Sequence, residues 1–267
     1  MVAGSPGRET GTQYVLIRIA LVLAAALTVA AVIFGVQSTD RRIAAGIQPA
    51  ADGGHSRGLG PVPSDHGAPL TVDFAALPDG PLPVQIGGRT FRAAAITKDA
   101  MPVVEAGQLV HARSTADNSA GYVESILDAP VQRLGVTVSF VEGGGSVALT
   151  MWENSLVDSL VGRQGMPNAG VQFIIDNTHW QLTVWDAAAG HSVVLATEPH
   201  AGGPAGTPLS FEVRRDGDTA TVALSDGGRR VITDPRIAAW SGTSACWQLY
   251  EFDAGREPAA LTAIWAA

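Results

Sequence analysis

Glu251 and Asp253 stand two residues apart in the stretch Glu251-Phe252-Asp253-Ala254-Gly255-Arg256-Glu257. On an extended strand, alternate side chains share a face. Two carboxyl groups on one face suit a nucleophile and a general acid/base, which retaining glycoside hydrolysis places about 5–5.5 Å apart. Gly255 and Pro258 break a strand at this point, so the competing reading is a strand that ends in a solvated acidic turn. Glu251 also shares parity with Trp247 and Leu249, the more apolar side of its strand. A second set of residues suits binding. Trp152, Trp185 and Tyr250, with Gln172, Gln181, Thr183 and Gln248, supply aromatic faces for stacking and amides or hydroxyls for hydrogen bonds. The five that best fit a ligand platform are Trp152, Gln181, Trp185, Gln248 and Tyr250. The bland alternative is that they end strands or sit under loops.

Other chemistry is poorly supported. His179, His191 and His200 are irregularly spaced, and no H-E-x-x-H run or paired Cys/His set occurs. Asp216 and Asp218 could serve calcium, but Asp216-Gly217-Asp218 reads first as a hairpin turn. Gly242-Thr243-Ser244-Ala245-Cys246 lacks the last glycine of a nucleophile elbow. Cys246, between Ala245 and Trp247, reads as a small buried side chain. No metal and no cofactor are expected.

The elements that must position these residues are strands. Short alternating runs are punctuated by Gly, Pro, Asn and Asp from residue 70 onward. They predict strands at 90–96, 108–112, 121–127, 134–140, 146–152, 171–176, 180–185, 192–196, 209–214, 219–224, 229–232, 245–252 and 261–265. Helical turns are expected only at 156–161 and 235–240. Alternation puts Val147, Leu149 and Met151 on one face with Val171, Phe173 and Ile175. Trp180, Leu182 and Val184 join them, as do Ala245, Trp247 and Leu249. The opposite face mixes aromatic, amide and hydroxyl groups.

The chain has 267 residues, with a net charge of −8 and 16% charged residues. Its 46% hydrophobic content suffices for a sizeable core. The acidic balance argues against nucleic acid as a partner. One cysteine excludes an intrachain disulfide. Ile19 to Val36 carries no charge, and with Tyr14 to Ile17 the run is long enough to span a bilayer if Arg18 snorkels. The expected layout is a short tail at 1–13, a transmembrane signal anchor at 14–36 and a Gly/Pro-rich linker at 37–69. A β-sandwich domain follows at 70–267. The rival to an anchor is a cleaved secretory signal. Arg8 and Arg18 nearly balance Arg41 and Arg42, so the short tail and long tether place the domain outside the cytoplasm. The expected partners are the membrane, through that helix, and an envelope polysaccharide or a protein.

Several stretches carry a family resemblance. They are Gly121-Tyr122-Val123-Glu124, Leu134 to Phe140, Trp180 to Trp185, the hairpin Phe211 to Val222, Cys246 to Glu251 and Thr262 to Trp265. Together, Gly121 to Trp265 resembles concanavalin A-like or laminin-G-like β-sandwich domains of bacterial secreted or membrane-anchored proteins. The resemblance implies an all-β fold, an antiparallel two-sheet jelly roll, which the N-terminal reading precedes with one transmembrane helix and a flexible linker. It also implies a concave face that in many members binds sugars. Some glycosidases of this fold carry Glu-x-Asp-x-Glu, or a form with one extra residue, on a strand lining the cleft. Here Glu257 lies one residue beyond even the longer form, and the stretch sits near the C-terminus rather than mid-domain. The reading is therefore a non-catalytic binding module, with a glycoside hydrolase using Glu251 and Asp253, or a protein-interaction domain, as alternatives.

Overall fold

Thirteen alternating runs require two layers, because each strand has one apolar face to bury. The computed structural model describes residues 47–49, 70–96, 100–111, 119–141, 145–160, 169–186, 191–251 and 259–267. The chain divides into a unit at 1–41, which lies outside the described residues, and a unit at 42–267. The expected span at 14–36 therefore falls outside the described residues. Among the described residues, no helix is long and apolar enough to cross a membrane.

The strands in chain order are β1 (Ile47–Pro49), β2 (Leu70–Asp73), β3 (Gly80–Pro81), β4 (Gln85–Ile86), β5 (Arg89–Ala95) and β6 (Pro102–Glu105). Next come β7 (Gln108–His111), β8 (Ser119–Ile126), β9 (Arg133–Ser139), β10 (Ser146–Trp152), β11 (Ala169–Ile175) and β12 (His179–Asp186). The last are β13 (His191–Pro199), β14 (Pro208–Asp216), β15 (Thr219–Ala223), β16 (Arg229–Thr233), β17 (Ser244–Glu251) and β18 (Ala260–Ala266). Two short helices, α1 (Leu156–Leu160) and α2 (Pro235–Ala238), complete the inventory with a 3-10 turn at Phe74–Ala76.

All strand pairs are antiparallel, in two sheets. One has the order β1-β16-β15-β14-β9-β18-β7-β6-β3, with β2 also on β18. The other runs β13-β12-β11-β10-β17-β8-β5-β4. The all-β two-sheet expectation therefore holds, and every predicted strand and both helical turns are present within a few residues. Five further strands appear. One of them, β1, pairs with β16 from within the stretch read as linker.

The core lies between the sheets. Val147, Leu149 and Met151 meet Phe173, Trp247 and Leu249 from their own sheet and Leu134, Val136, Phe211 and Val213 from the other. Phe173 and Trp180 pack edge to face at 6.0 Å. The indole of Trp247 crosses the core and donates to the Gly135 carbonyl of the opposite sheet at 3.0 Å. Helix α2 is tied on by Arg215, which donates to the Trp240 carbonyl at 2.7 Å and lies 4.7 Å from the centre of the Trp240 ring. Asp216-Gly217-Asp218 forms the expected hairpin turn between β14 and β15.

Gly135 is required on its other side too. A Cβ there would lie 1.9 Å from the Trp265 ring, which covers the outer surface of β9. Trp265 in turn donates to Glu212 at 2.8 Å, and Glu212 pairs with Arg133 at 2.7 Å. Overpacking of this kind costs about 1–3 kcal/mol or more. Gly135→Ala is expected to lower the denaturation midpoint, and Gly135→Ala with Trp265→Ala to lose less than the sum of the two single changes. Chemical denaturation of the four proteins of the cycle checks this; strict additivity would refute the contact.

Candidate functional site

The outer face of the second sheet is the mixed face expected from alternation, and its register is explicit. Trp152 stands opposite Gly170, and Gly170 opposite Trp185. One row along, Thr150 pairs with Gln172 and Cys246, Gln172 with Thr183, and Cys246 with Glu124. In the next row, Gln248 pairs with Tyr122 and Ala148, and Ala148 with Ile174, which pairs with Gln181. Tyr250 follows opposite Ser146. All five candidate binding residues therefore lie on one face, as parity required.

Their exposure is uneven. Trp152, Gln181, Gln248 and Tyr250 are buried, and Trp185 is half-buried. The accessible part of the face is the β11–β13 end: Gln172, Trp185, Ser192 and Thr197 are half-buried, and Val194 is 38% exposed. Gly170 lets the two tryptophans approach. A Cβ there would lie 2.3 Å from the Trp152 ring, so the indole lies against bare backbone between itself and Trp185. The indole N–H groups of Trp152 and Trp185 and the hydroxyl of Thr183 have no hydrogen-bond partner. Buried polar groups are normally paired, so three orphans on adjacent rows of one face need an explanation.

Sequence reasoning passed over the residue with the densest bonding on this face. Glu124 is fully buried, two residues before the end of β8. One oxygen accepts from the Ser155 hydroxyl at 2.5 Å; the other accepts from the Leu156 N–H at 2.7 Å and the Ser244 hydroxyl at 2.6 Å. Ser155 also caps α1 by accepting from the Asp158 N–H at 3.0 Å. Arg92, opposite Glu124 in register, pairs with Asp158 of the same helix. A charged residue inside an otherwise apolar strand was the available signal.

The carboxylate pair fares differently. Glu251 is buried at the end of β17, where it accepts from the Gly145 N–H at 2.8 Å. Asp253 lies outside the described residues. Among the described residues, no group of three His, Cys, Asp or Glu side chains is placed to hold a metal ion. His200 instead packs edge to face on Phe211 at 5.1 Å, and Asp218 accepts from the Thr219 hydroxyl at 3.2 Å.

Burial decides the ionisation of this face. It pushes the Cys246 thiol well up, and Glu124 opposite adds to the shift. Burial also raises the Tyr122 phenol, helped by Cys246 and Tyr250. The Tyr250 phenol is pushed up to about 12, first by burial and then by Glu251.

No protein-family model matches the chain, and neither does any curated protein. Solved structures do match. The chain is similar to SCLam, a non-specific endo-β-1,3(4)-glucanase of family GH16, with TM-score 0.54 and 13% identity over 86% of this chain and 97% of that one. It is similar to LamAcat from Zobellia galactanivorans, with TM-score 0.53 and 10% identity over 75% and 97%. The catalytic domain of an endo-1,3-β-glucanase from Thermotoga petrophila gives TM-score 0.52 and 11% identity over 76% and 97%. Likeness at such low identity establishes the fold, a concanavalin A-like jelly-roll β-sandwich.

Two outcomes follow from the raised acids. The thiolate is the reactive form, so Cys246 should resist thiol reagents in the native protein at pH 8 and react only as the chain unfolds. Rapid native labelling would contradict its burial. A phenol whose folded pKa lies near 12, above its ordinary 10.0, stabilises the fold fully below pH 10. That stability is lost as pH rises from about 10 to about 12. Tyr250→Phe should flatten the alkaline limb of the stability profile.

Proposed function

We propose that this chain is a membrane-anchored, extracytoplasmic β-sandwich module that binds envelope carbohydrate on its mixed face without hydrolysing it. The carrying observation is the accessible β11–β13 end of this face, where half-buried Gln172, Trp185, Ser192 and Thr197 surround exposed Val194. A sugar suits such a patch, with apolar C–H faces to stack on the Trp185 ring and hydroxyls to bond the accessible amide and hydroxyl groups beside it. Gln172, Gln181, Gln248 and Tyr250 extend the polar rows beside them. Similarity in fold to glucanases favours the same ligand class by analogy only.

The non-catalytic part rests on how the carboxylates are engaged. Hydrolysis needs a carboxylic acid and a carboxylate facing one groove. Glu124 has both oxygens engaged by three donors, and Glu251 is engaged at the far end of β17. The anchor rests on the uncharged run at 19–36 and the linker after it.

Co-sedimentation of the full-length protein with insoluble cell-envelope polysaccharide tests this function. Saturable binding is expected, with Trp185→Ala reducing affinity at least tenfold while leaving the fold intact. Stacking of about 0.5–1.5 kcal/mol plus the apolar area that the indole covers sets that scale. Release of new reducing ends that disappears in Glu251→Gln would favour the hydrolase instead. Absence of both binding and turnover would leave a protein-interaction domain.

A further inference from the structure

A sheet edge presents unpaired N–H and C=O groups, so folded proteins keep such edges short, charged or covered. Among the described residues, the edge strands of the two sheets are β1, β3, β4 and β13. The first three have 3, 2 and 2 residues. β13 has 9, carries no Lys or Arg, and reaches its single proline only at Pro199. It also holds the run Val193-Val194-Leu195, with Val194 exposed and its two neighbours half-buried. A bulge divides this strand. Before the bulge, Ser192 and Val194 stand opposite Trp185 and Thr183, and so share the mixed face. After it, Thr197 stands opposite Gln181 and shares that face too. On a regular strand, residues five apart point to opposite faces. The one extra residue brings Ser192 and Thr197 to the same face.

We propose that β13 is a self-pairing edge, through which two copies of this chain join their second sheets and bring their accessible patches into one site. The joined site rests on the carbohydrate function proposed above; the pairing does not. A two-fold axis through the bulge sets β13 antiparallel to its copy. Ser192 then faces the partner's Thr197, Val193 the partner's Ala196 and Val194 the partner's Leu195. The faces match in this register because of the bulge. Ser192 and Thr197 lie on the mixed face, while Val193 and Ala196, opposite Val184 and Leu182, point to the core side. A residue's face and the edge toward which its N–H and C=O point alternate together, so residues matched by face are matched in hydrogen bonding. Charge is complementary as well. His191 and Glu198 stand near the two ends of the strand, opposite Asp186 and Trp180. The same register sets each imidazole against the partner's Glu198 and keeps the two carboxylates apart. Glu198 keeps Arg230 as its ion-pair partner at 2.7 Å. Opposite-charge and hydroxyl pairs across a ladder are stabilising, and like charges are not. An axis perpendicular to the sheet keeps both mixed faces on one side. The patch of Trp185, Ser192, Val194 and Thr197 ends at the edge of one copy and continues into the other. One copy alone offers a ligand a strip; two offer a platform with a Trp185 ring on each side of the seam.

Engineered thiols test the register. Ser192→Cys and Thr197→Cys are made separately in the full-length protein, held in detergent, where the native Cys246 is buried. Residues directly opposite across a ladder lie about 4.5–5.5 Å apart, within disulfide reach. Like positions of the two copies lie roughly 16 Å apart in this register. An equal mixture of the two variants under mild oxidation should therefore give a disulfide-linked dimer, and either variant alone should not. A mixture that links no faster than the single variants would overturn the pairing and leave carbohydrate binding untouched. Light scattering of the unsubstituted protein should give the mass of two chains, and Val194→Lys, which sets an ammonium group into the seam, the mass of one. A dimer that survives Val194→Lys would overturn β13 as the contact. The folded Val194→Lys monomer should bind insoluble cell-envelope polysaccharide at least about tenfold more weakly than the dimer. Equal binding would overturn the joined site. Cross-linking without any polysaccharide binding would overturn the carbohydrate function and the joined site with it, and would support the pairing.

Discussion

Gly135 is the point at which both layers and the outer surface meet. From inside, Trp247 reaches across the core and donates to its carbonyl. From outside, the Trp265 ring lies over its Cα, where a side chain would clash. The two contacts fix β9 between an indole on each side, and β9 is the strand that joins β14 to β18. The core residues Leu134 and Val136 flank it and face Leu149 and Trp247 of the other sheet. A slip of one residue in β9 would turn those apolar side chains outward, so the glycine also pins the register.

The second sheet repeats the device with another outcome. Gly170 lets Trp152 lie on backbone as Gly135 lets Trp265 do so. On the first sheet the indole N–H finds Glu212, which is anchored by Arg133. On the second, the N–H groups of Trp152 and Trp185 find nothing. The same packing solution thus leaves the indole N–H bonded on one sheet and unpartnered on the other.

Much of this was legible from alternation. Period-two runs such as Val147-Ala148-Leu149 and Trp180-Gln181-Leu182 identify both the strands and the face that each residue occupies. The strands passed over are short or irregular. Gly80–Pro81 and Gln85–Ile86 have two residues each, Pro102–Glu105 opens on proline, and Ile47–Pro49 lies in a Gly/Pro-rich stretch. Two residues cannot display a period, and a pairing partner 185 positions away, as Ile232 is from Ile47, leaves no local trace. The site was legible to the same depth. Parity grouped Trp152, Gln181, Trp185, Gln248 and Tyr250, but not the closure of the face over β8. That closure depends on Glu124 meeting Ser155 and Ser244, the latter 120 residues away. Burial of a face is a property of what lies on top of it, and no strand pattern encodes that.

The protonation chemistry of the mixed face is set by burial. General acid–base catalysis works best when a group titrates near the operating pH. Along the centre of this face, Tyr122 and Cys246 are pushed upward by burial, and Tyr250 titrates near 12. Glu124 accepts from neutral donors at both oxygens, which ties Ser155, Leu156 and Ser244 to β8. These groups are arranged to keep their protons, or their lone pairs, where they are. A surface built in that way holds its donors and acceptors in fixed positions.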